Sequence, residues 1–200
     1  MSSPILHTML ESLGWLRSAF RGSLMAVRRQ GFASCGRDVR FDPFGSYTPA
    51  DRIHIGSRVF IGPGARISAS EGMTIGDNVI IGPDLCVMGG DHSYSVPGRV
   101  MYEVKDGGVN LPVVVESDVG LGARVTLLKG VTVREGTVVG AGSVVTHTLP
   151  PYTIAAGSPC RVLRTRFGQA DLASHLAAVA SPYCVEDVLR EWRAAGLTPA

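Results

Sequence analysis

An aliphatic residue recurs at every sixth position in the second half of the chain, and this period constrains the fold more than any other feature. The residues are Val115, Leu121, Leu127, Val133, Val139 and Val145. A second row, four residues after the first five of these, contains Val119, Val125, Val131, Thr137 and Ser143. This period matches neither an α-helix nor a simple strand, and it predicts a β-solenoid.

The same pattern predicts which side chains form the core. In a solenoid of hexapeptides, three short extended segments close a triangular turn of about 18 residues, and neighbouring turns stack about 4.8 Å apart. The first residue of each hexad then points inward, and the smaller residue at its fifth position fills the corner. The predicted core is a column of aliphatic side chains, so any catalytic group must stand outside it.

The hexads begin earlier in the chain and contain a small insertion. Ile55 and Ile61 are six residues apart, and so are Ile75 and Ile81, but two extra residues fall within 68–72. We interpret this insertion as a bulged corner that could shape one wall of a site.

A longer interruption follows Val87. The interval from Val87 to Val115 is 28 residues, which is not a multiple of six, so residues 89–112 are predicted to leave the solenoid as a loop. Long loops on rigid scaffolds often carry function. The polar and aromatic residues of this loop are Asp91, His92, Tyr94, Arg99, Tyr102, Glu103, Lys105 and Asp106.

Both ends of the chain show helical spacing. The apolar residues near the N-terminus are Leu6, Met9, Leu10, Leu13, Phe20, Leu24 and Val27. Gly14 and Gly22 weaken a single long helix, so two shorter helices are an alternative. This segment is expected to pack on the solenoid or a sister subunit, or to lie on a membrane as a basic amphipathic helix.

The predicted organisation has three parts: an N-terminal helical segment over 1–32, a β-helix over 33–165 with the loop 89–112, and a C-terminal helical cap over 166–200. In the cap, one helix is predicted over 171–180, and a second begins near Val185 and ends at Gly196. We expect these helices to cover the open end of the solenoid.

Composition limits the classes of binding partner and the cellular compartment that we expect for this protein. A formal net charge of +2 without a long basic run argues against nucleic acid. Glu11, Arg17 and Arg21 break any signal-peptide or membrane-span pattern, so we expect a cytoplasmic protein. The four cysteines have no metal-type spacing, which favours buried reduced thiols; they are Cys35, Cys86, Cys160 and Cys184.

Several segments resemble the hexapeptide-repeat acyltransferases. They are the Ile-Gly repeats, the loop with Asp91 and His92, residues 139–146 (VGAGSVVT) and residues 156–162 (AGSPCRV). The similarity covers about residues 53–165 and is greatest to the maltose, galactoside and nodulation-type sugar O-acetyltransferases. It implies a mainly β fold, the left-handed parallel β-helix, assembled as a homotrimer that binds acetyl-coenzyme A between subunits and needs no metal.

The resemblance also implies residue roles. His92 matches the catalytic base, which would deprotonate an acceptor hydroxyl for direct attack on the acetyl carbonyl. From their place in the loop, and not from the resemblance, Asp91, Tyr94 and Glu103 are candidate acceptor-binding residues, and Asp91 or Glu103 is a candidate for orienting the imidazole. The implied coenzyme-binding positions are Gly122, Ala123, Ala141, Thr146, Arg161 and Arg164.

Three departures from the family pattern leave the acceptor open. Gly120 stands where many relatives have Trp, and His147 stands where a Lys often follows Thr146. The positions that hold the sugar in galactoside-type enzymes fall near Gly62 and Ser70, which cannot do so. The expected acceptor is a small-molecule or lipid-linked sugar of a surface polysaccharide or glycolipid.

Three alternatives remain at this point. The first is an N-acetyltransferase acting on an amino sugar or antibiotic, since the same base can serve an amine. The second is a metal enzyme like the γ-carbonic anhydrases, which need three histidines; here the loop has one, and His54 is 38 residues away. The third is a non-catalytic solenoid that binds partners.

Overall fold

The computed structural model describes residues 4–105 and 107–198, and for residues 4–15 and 17 it describes the backbone alone. The chain forms a parallel solenoid with three sheets. Sheet A contains β1 (Ser34–Cys35), β3 (Ile53–Ile55), β6 (Met73–Ile75), β9 (Val113–Val115) and β12 (Thr132–Val133). Sheet B contains β4 (Phe60–Ile61), β7 (Ile80–Ile81), β10 (Gly120–Leu121), β13 (Val138–Val139), β15 (Thr153–Ala156) and β16 (Arg161–Thr165). Sheet C contains β2 (Ser46–Thr48), β5 (Arg66–Ser68), β8 (Cys86–Met88), β11 (Thr126–Leu128) and β14 (Val144–Val145).

The strand register shows both predicted interruptions. Gly120 pairs with Val138, one coil of 18 residues later. Ile53 pairs with Met73 at a step of 20, so the two extra residues are absorbed within a coil. Cys86 pairs with Thr126 at a step of 40, which places the long loop outside the stack. The predicted left-handed parallel β-helix is confirmed.

Burial follows the hexads. All six aliphatic residues at the first hexad position are buried, and so are the five at the fifth position. Even Thr137 and Ser143 are fully buried, because their hydroxyls donate to the carbonyls of Pro150 and Gly140. The core is therefore the predicted column, and functional side chains stand on its outer surface.

The N-terminal segment forms one helix, α1 (Pro4–Arg29), rather than two. Neither Gly14 nor Gly22 breaks it; a Cβ added at Gly22 would meet no atom within 4 Å, so this glycine faces open space. The last turns are attached to the solenoid, since Arg21 pairs with Asp42 at 3.0 Å and Arg28 donates to the Gly45 carbonyl at 2.8 Å. The side chains of Leu6, Met9, Leu10 and Leu13 lie outside the described residues.

Two helices follow the solenoid, α2 (Gln169–Val179) and α3 (Val185–Ala194). Their buried side chains, among them Trp192 and Leu172, pack with Tyr152 in a second small core. The Trp192 indole donates to the Pro151 carbonyl at 2.7 Å, which fixes α3 to the last coil. Across the described ranges, no helix is both long and apolar enough to span a bilayer.

Candidate active site

The loop leaves the solenoid next to the bulged corner. The Gly89 N–H donates to the Ser68 carbonyl at 2.7 Å, and the Val113 N–H donates to the Gly72 carbonyl at 3.2 Å. The Leu111 N–H donates to the Gly89 carbonyl at 3.0 Å. Both ends of the loop therefore rest on residues 68–72, and the two insertions build one site.

Above this base the two legs of the loop run side by side. We call residues 89–93 and 107–111 the stem. The Val109 N–H donates to Oδ1 of Asp91 at 3.0 Å. A Cβ at Gly108 would lie 1.9 Å from the Asp91 carbonyl oxygen, and a Cβ at Gly90 would lie 1.8 Å from Oδ1 of Asn110. The legs thus approach as closely as they do because these two positions lack side chains.

His92 lies on this stem with its side chain exposed. A cavity of about 440 Å³ opens beside it, lined by Ser70, Asp91, His92, Ser93, Lys105, Gly107, Gly108 and Asn110. Ser70 comes from the bulged corner, which supports the prediction that this insertion forms a wall. The lining is mostly polar, so the cavity suits an acceptor rich in hydroxyl or amide groups.

The three candidate acceptor-binding residues are placed differently. Asp91 lines the cavity, whereas Tyr94 stands beyond it with 73% of its surface exposed. Glu103 lies in a short 3-10 turn (Met101–Glu103), and its carbonyl accepts a hydrogen bond from Arg99. Of the three, the cavity lining includes Asp91 but neither Tyr94 nor Glu103.

The Asp91 carboxylate is engaged by two donors, the Lys129 ammonium and the Val109 N–H. The hydrogen bond from Lys129, and secondly that from Val109, hold the pKa of Asp91 below its usual range. These contacts, rather than a bond to the imidazole, are the ones found for Asp91 in the described structure. Sequence reasoning missed Lys129, which is 38 residues from Asp91 and carries no motif of its own.

The predicted coenzyme positions lie at a different corner of the prism, between sheets B and C. Gly62, Gly82, Gly122 and Gly140 stack here in successive coils, and we call them the glycine track. A Cβ at Gly82 would lie 2.7 Å from the Ala123 nitrogen. Along the track the next coil's backbone leaves no room for a side chain, so the surface is smooth.

Ala123 and Ala141 directly follow two of the track glycines. The Ala123 carbonyl accepts from the Gly142 N–H at 2.8 Å. In the described part of the chain, neither the Ala123 N–H nor the Ala141 N–H has a hydrogen-bond acceptor. Both are therefore free to bind a ligand's oxygen atoms.

The remaining predicted coenzyme residues continue this surface. Thr146 is exposed, with its hydroxyl 3.0 Å from Nδ1 of His147. Arg161 and Arg164 are exposed on β16, and Arg161 pairs with Ala156 across the β15–β16 hairpin. Ala156 in turn stacks against Gly140, where a Cβ would lie 2.9 Å from the Ala156 Cβ. The glycine track is thus connected through Ala156 to the strand that carries the side chains of Arg161 and Arg164.

His92 and the glycine track occupy opposite edges of sheet C in one protomer. Ala123 comes just before β11 and Lys129 just after it, while the loop starts after β8, which pairs with β11. A strand of three residues spans roughly 10 Å. Within one chain, the point where the loop leaves the solenoid and the glycine track are therefore separated by at least the length of a strand of sheet C.

Two further histidines, His54 and His175, contact polar side chains of the scaffold. His54 faces Oγ of Ser34 at 3.1 Å, and His175 lies 3.3 Å from Asp118. No group of three or more His, Cys, Asp or Glu side chains is arranged to hold a metal ion within the ranges described.

Comparisons with known proteins agree with this geometry. The family model described as hexapeptide repeat of succinyl-transferase matches residues 52–85 and 112–147, on either side of the loop. Galactoside O-acetyltransferase of Escherichia coli K12 is 34% identical over 139 residues, which are 68% of this chain and 65% of that protein. A putative acetyltransferase of Schizosaccharomyces pombe is 33% identical over 56% of this chain and 52% of its own length. The chain thus spans less than two thirds of these two relatives.

Solved structures extend the similarity to three dimensions. A hexapeptide-repeat acetyltransferase of Vibrio cholerae, complexed with acetyl-coenzyme A, superimposes with a TM-score of 0.64 at 28% identity, over 82% of this chain and 90% of that one. Galactoside acetyltransferase in complex with coenzyme A gives a TM-score of 0.63 at 32% identity, over 71% of this chain and 69% of that one.

Fold and repeats together define a left-handed β-helix built from hexapeptides. The chain belongs to the hexapeptide-repeat acetyltransferase family.

Proposed function

We propose that this protein transfers the acetyl group of acetyl-coenzyme A to a hydroxyl group of a sugar-type acceptor, with His92 as the general base. The observation that carries the proposal is the exposed imidazole in a polar cavity, on the loop that interrupts a solenoid of this family. Coenzyme A and acetyl-coenzyme A are bound by the two structural relatives described above.

The residues supply each part of a direct transfer. His92 takes the proton of the acceptor hydroxyl, and the oxygen attacks the thioester carbonyl carbon. The Ala123 N–H donates to the oxyanion that forms, a contribution worth about 3–4 kcal/mol in related chemistry; the support is that this N–H has no acceptor in the described structure. The C–S bond then breaks, and the thiolate of coenzyme A receives the proton from the imidazolium.

We further propose a homotrimer whose sites lie between subunits. The support is the separation of His92 from the glycine track across sheet C, which a neighbour's corner would bridge. Sheet B also carries outward apolar side chains, and Ile80 is 65% exposed in the isolated chain. A neighbour packed on that face would bury such groups.

A mixing experiment tests this arrangement. Co-expression of a His92→Ala chain with a Gly122→Val chain creates trimers in which an intact imidazole meets an intact track. Activity in the mixture well above that of either parent is expected for a shared site. A site within one chain gives an inactive mixture, which would contradict the proposal.

The acceptor is addressed by a screen. Coenzyme A release is measured against hydroxyl sugars, amino sugars and lipid-linked sugars, with the wild type and His92→Ala in parallel. We expect a hydroxyl sugar of the surface-polysaccharide or glycolipid type to be the best acceptor, with a loss of about 10²–10⁴-fold in His92→Ala and coenzyme binding retained. Preference for an amino sugar would favour N-acetylation instead, and undiminished turnover in His92→Ala would refute the role of His92.

We also propose a cytoplasmic location, supported by four cysteines that are all free thiols. Membrane contact by α1 stays a prediction. Leu16, Phe20 and Val27 are exposed on this helix, whereas Arg21 and Arg28 bond to the solenoid and are less available to lipid headgroups.

A further inference from the structure

The loop begins beside a lysine of the next coil. Met88 at the end of β8 pairs with Leu128 at the end of β11. Gly89 and Lys129 therefore occupy equivalent positions in neighbouring coils. The loop begins at Gly89, whereas at Lys129 the chain continues around the solenoid. This register brings the Lys129 ammonium to the foot of the stem.

Asp91 joins three segments at this point. It belongs to the outgoing leg of the stem, its Oδ1 accepts from Val109 of the returning leg, and its Oδ2 pairs with Lys129 of the next coil. Among the residues that the structure describes, no backbone hydrogen bond joins the two legs above Gly89 and Leu111, so this carboxylate ties both legs to the next coil. Its partly exposed pair with Lys129 is the only ion pair found for either residue in the described structure.

The position of this contact matters for His92. Asp91 is held by Lys129 and by Val109, and His92 follows it directly along the chain. Fixing Asp91 therefore limits the positions that the His92 side chain can take beside the cavity that both residues line. Gly108 packs against the same unit, since a Cβ there would lie 3.3 Å from the His92 Cα.

We propose that Lys129 is a positioning residue for the reaction: by pairing with Asp91 it braces the stem and sets the direction of the His92 imidazole. The inference rests on the proposed function. Lys129 itself is absent from the cavity lining, so it acts through Asp91 and not by contact with the acceptor.

The expected effects on kcat and on the melting temperature distinguish a positioning role of Lys129 from a role in stability. A partly exposed ion pair contributes little to global stability, whereas a displacement of about 1 Å at a catalytic group can cost about 10²-fold in rate. Loss of the brace should thus lower kcat strongly with little change in the melting temperature. The KM for acetyl-coenzyme A should stay within twofold, because Lys129 belongs neither to the glycine track nor to the arginines proposed to bind the coenzyme's phosphates.

The experiment compares Lys129→Met with Lys129→Arg in the full-length protein. We expect kcat to fall about 10- to 100-fold in Lys129→Met and to recover to within about threefold of wild type in Lys129→Arg, which keeps the cation. The control is Arg190→Met, which removes the exposed pair with Asp187 on α3 and should leave kcat unchanged. Equal losses in Lys129→Arg, or in the control, would overturn the inference.

A double-mutant cycle with Asp91→Asn completes the test. If Lys129 acts through Asp91, the double variant loses no more activity than the more impaired single variant; additive losses overturn the inference. His92→Ala is assayed in parallel. If His92→Ala loses activity but Lys129→Met keeps it, the positioning role of Lys129 is refuted while the proposed function stands. If both variants keep activity, the proposed function itself is refuted.

Discussion

A Cβ at Gly122 would lie 2.5 Å from the amide nitrogen of Ala141 in the next coil. Real Cβ atoms do not approach a backbone nitrogen so closely, so the glycine is required by stacking and not by backbone dihedral angles. The same relationship recurs between Gly82 and Ala123. The glycine track is therefore a consequence of the coils packing closely against one another.

Gly122→Ala should weaken coenzyme binding. The added methyl group forces the Ala141 backbone outward and distorts the surface that the pantetheine arm would follow. We expect the Kd for coenzyme A to rise at least about tenfold, equivalent to about 1.4 kcal/mol, by calorimetry. Gly22→Ala, on the open side of α1, is the matched control and should leave the Kd unchanged; equal Kd values in both variants would show that the track does not bind coenzyme.

Arg161 and Arg164 should determine affinity for the coenzyme's phosphates and not the chemical step. Each guanidinium is exposed and donates to a backbone carbonyl of its own strand region, so it can be recruited by an anion. Replacing either with Gln should raise the KM for acetyl-coenzyme A about tenfold per lost contact, with kcat nearly constant. Added salt should reduce the difference from wild type.

Arg193→Gln serves as the control for these variants, since Arg193 is exposed on α3. A fall in kcat without a change in KM for Arg161→Gln or Arg164→Gln would contradict a phosphate-binding role.

Tyr152 should make the fold sensitive to alkali. Its side chain is fully buried and its hydroxyl donates to Glu135. Burial, and secondly this hydrogen bond, raise the pKa of Tyr152 well above the ordinary value, which is near 10 for a tyrosine. Above that pH the unfolded chain loses the phenolic proton while the folded chain keeps it. The folded state then binds more protons, so its free energy of unfolding falls as pH rises.

Denaturant unfolding between pH 8 and pH 11 checks this prediction. Tyr152→Phe cannot ionise, so its stability should decline less steeply above about pH 10, although it starts lower because Glu135 loses a donor. Tyr102→Phe, which alters an exposed ring, should keep the wild-type slope. Identical slopes in Tyr152→Phe and wild type would show that another group causes the alkaline decline.

The hexads allowed much of the solenoid to be predicted. Val115 and Val119 were assigned to the core from spacing alone, and both are buried. The two-residue insertion within 68–72 and the departure of the loop after Val87 followed from counting residues, and the strand register confirms both. Such features are predictable because a residue's place in its hexad decides whether it points inward.

The first helix was less predictable. Gly14 and Gly22 suggested two shorter helices, yet α1 is continuous. A glycine in a helix costs about 1 kcal/mol relative to alanine, and contacts such as Arg21 with Asp42 hold the last turns against the solenoid. Tertiary contact thus outweighs a local propensity of this size.

The amino-acid sequence by itself determined the period, the inward column of aliphatic side chains and the place where the solenoid is interrupted, because each depends on residues close together in the chain. Only the tertiary structure decided that Lys129 meets Asp91, that Ser70 shares a cavity with His92, and that the imidazole and the glycine track lie on opposite edges of one sheet. Those relationships depend on how whole coils align, and alignment depends on the summed length of every insertion between them. The spacing of residues within one hexad therefore does not show which residues of different coils become neighbours.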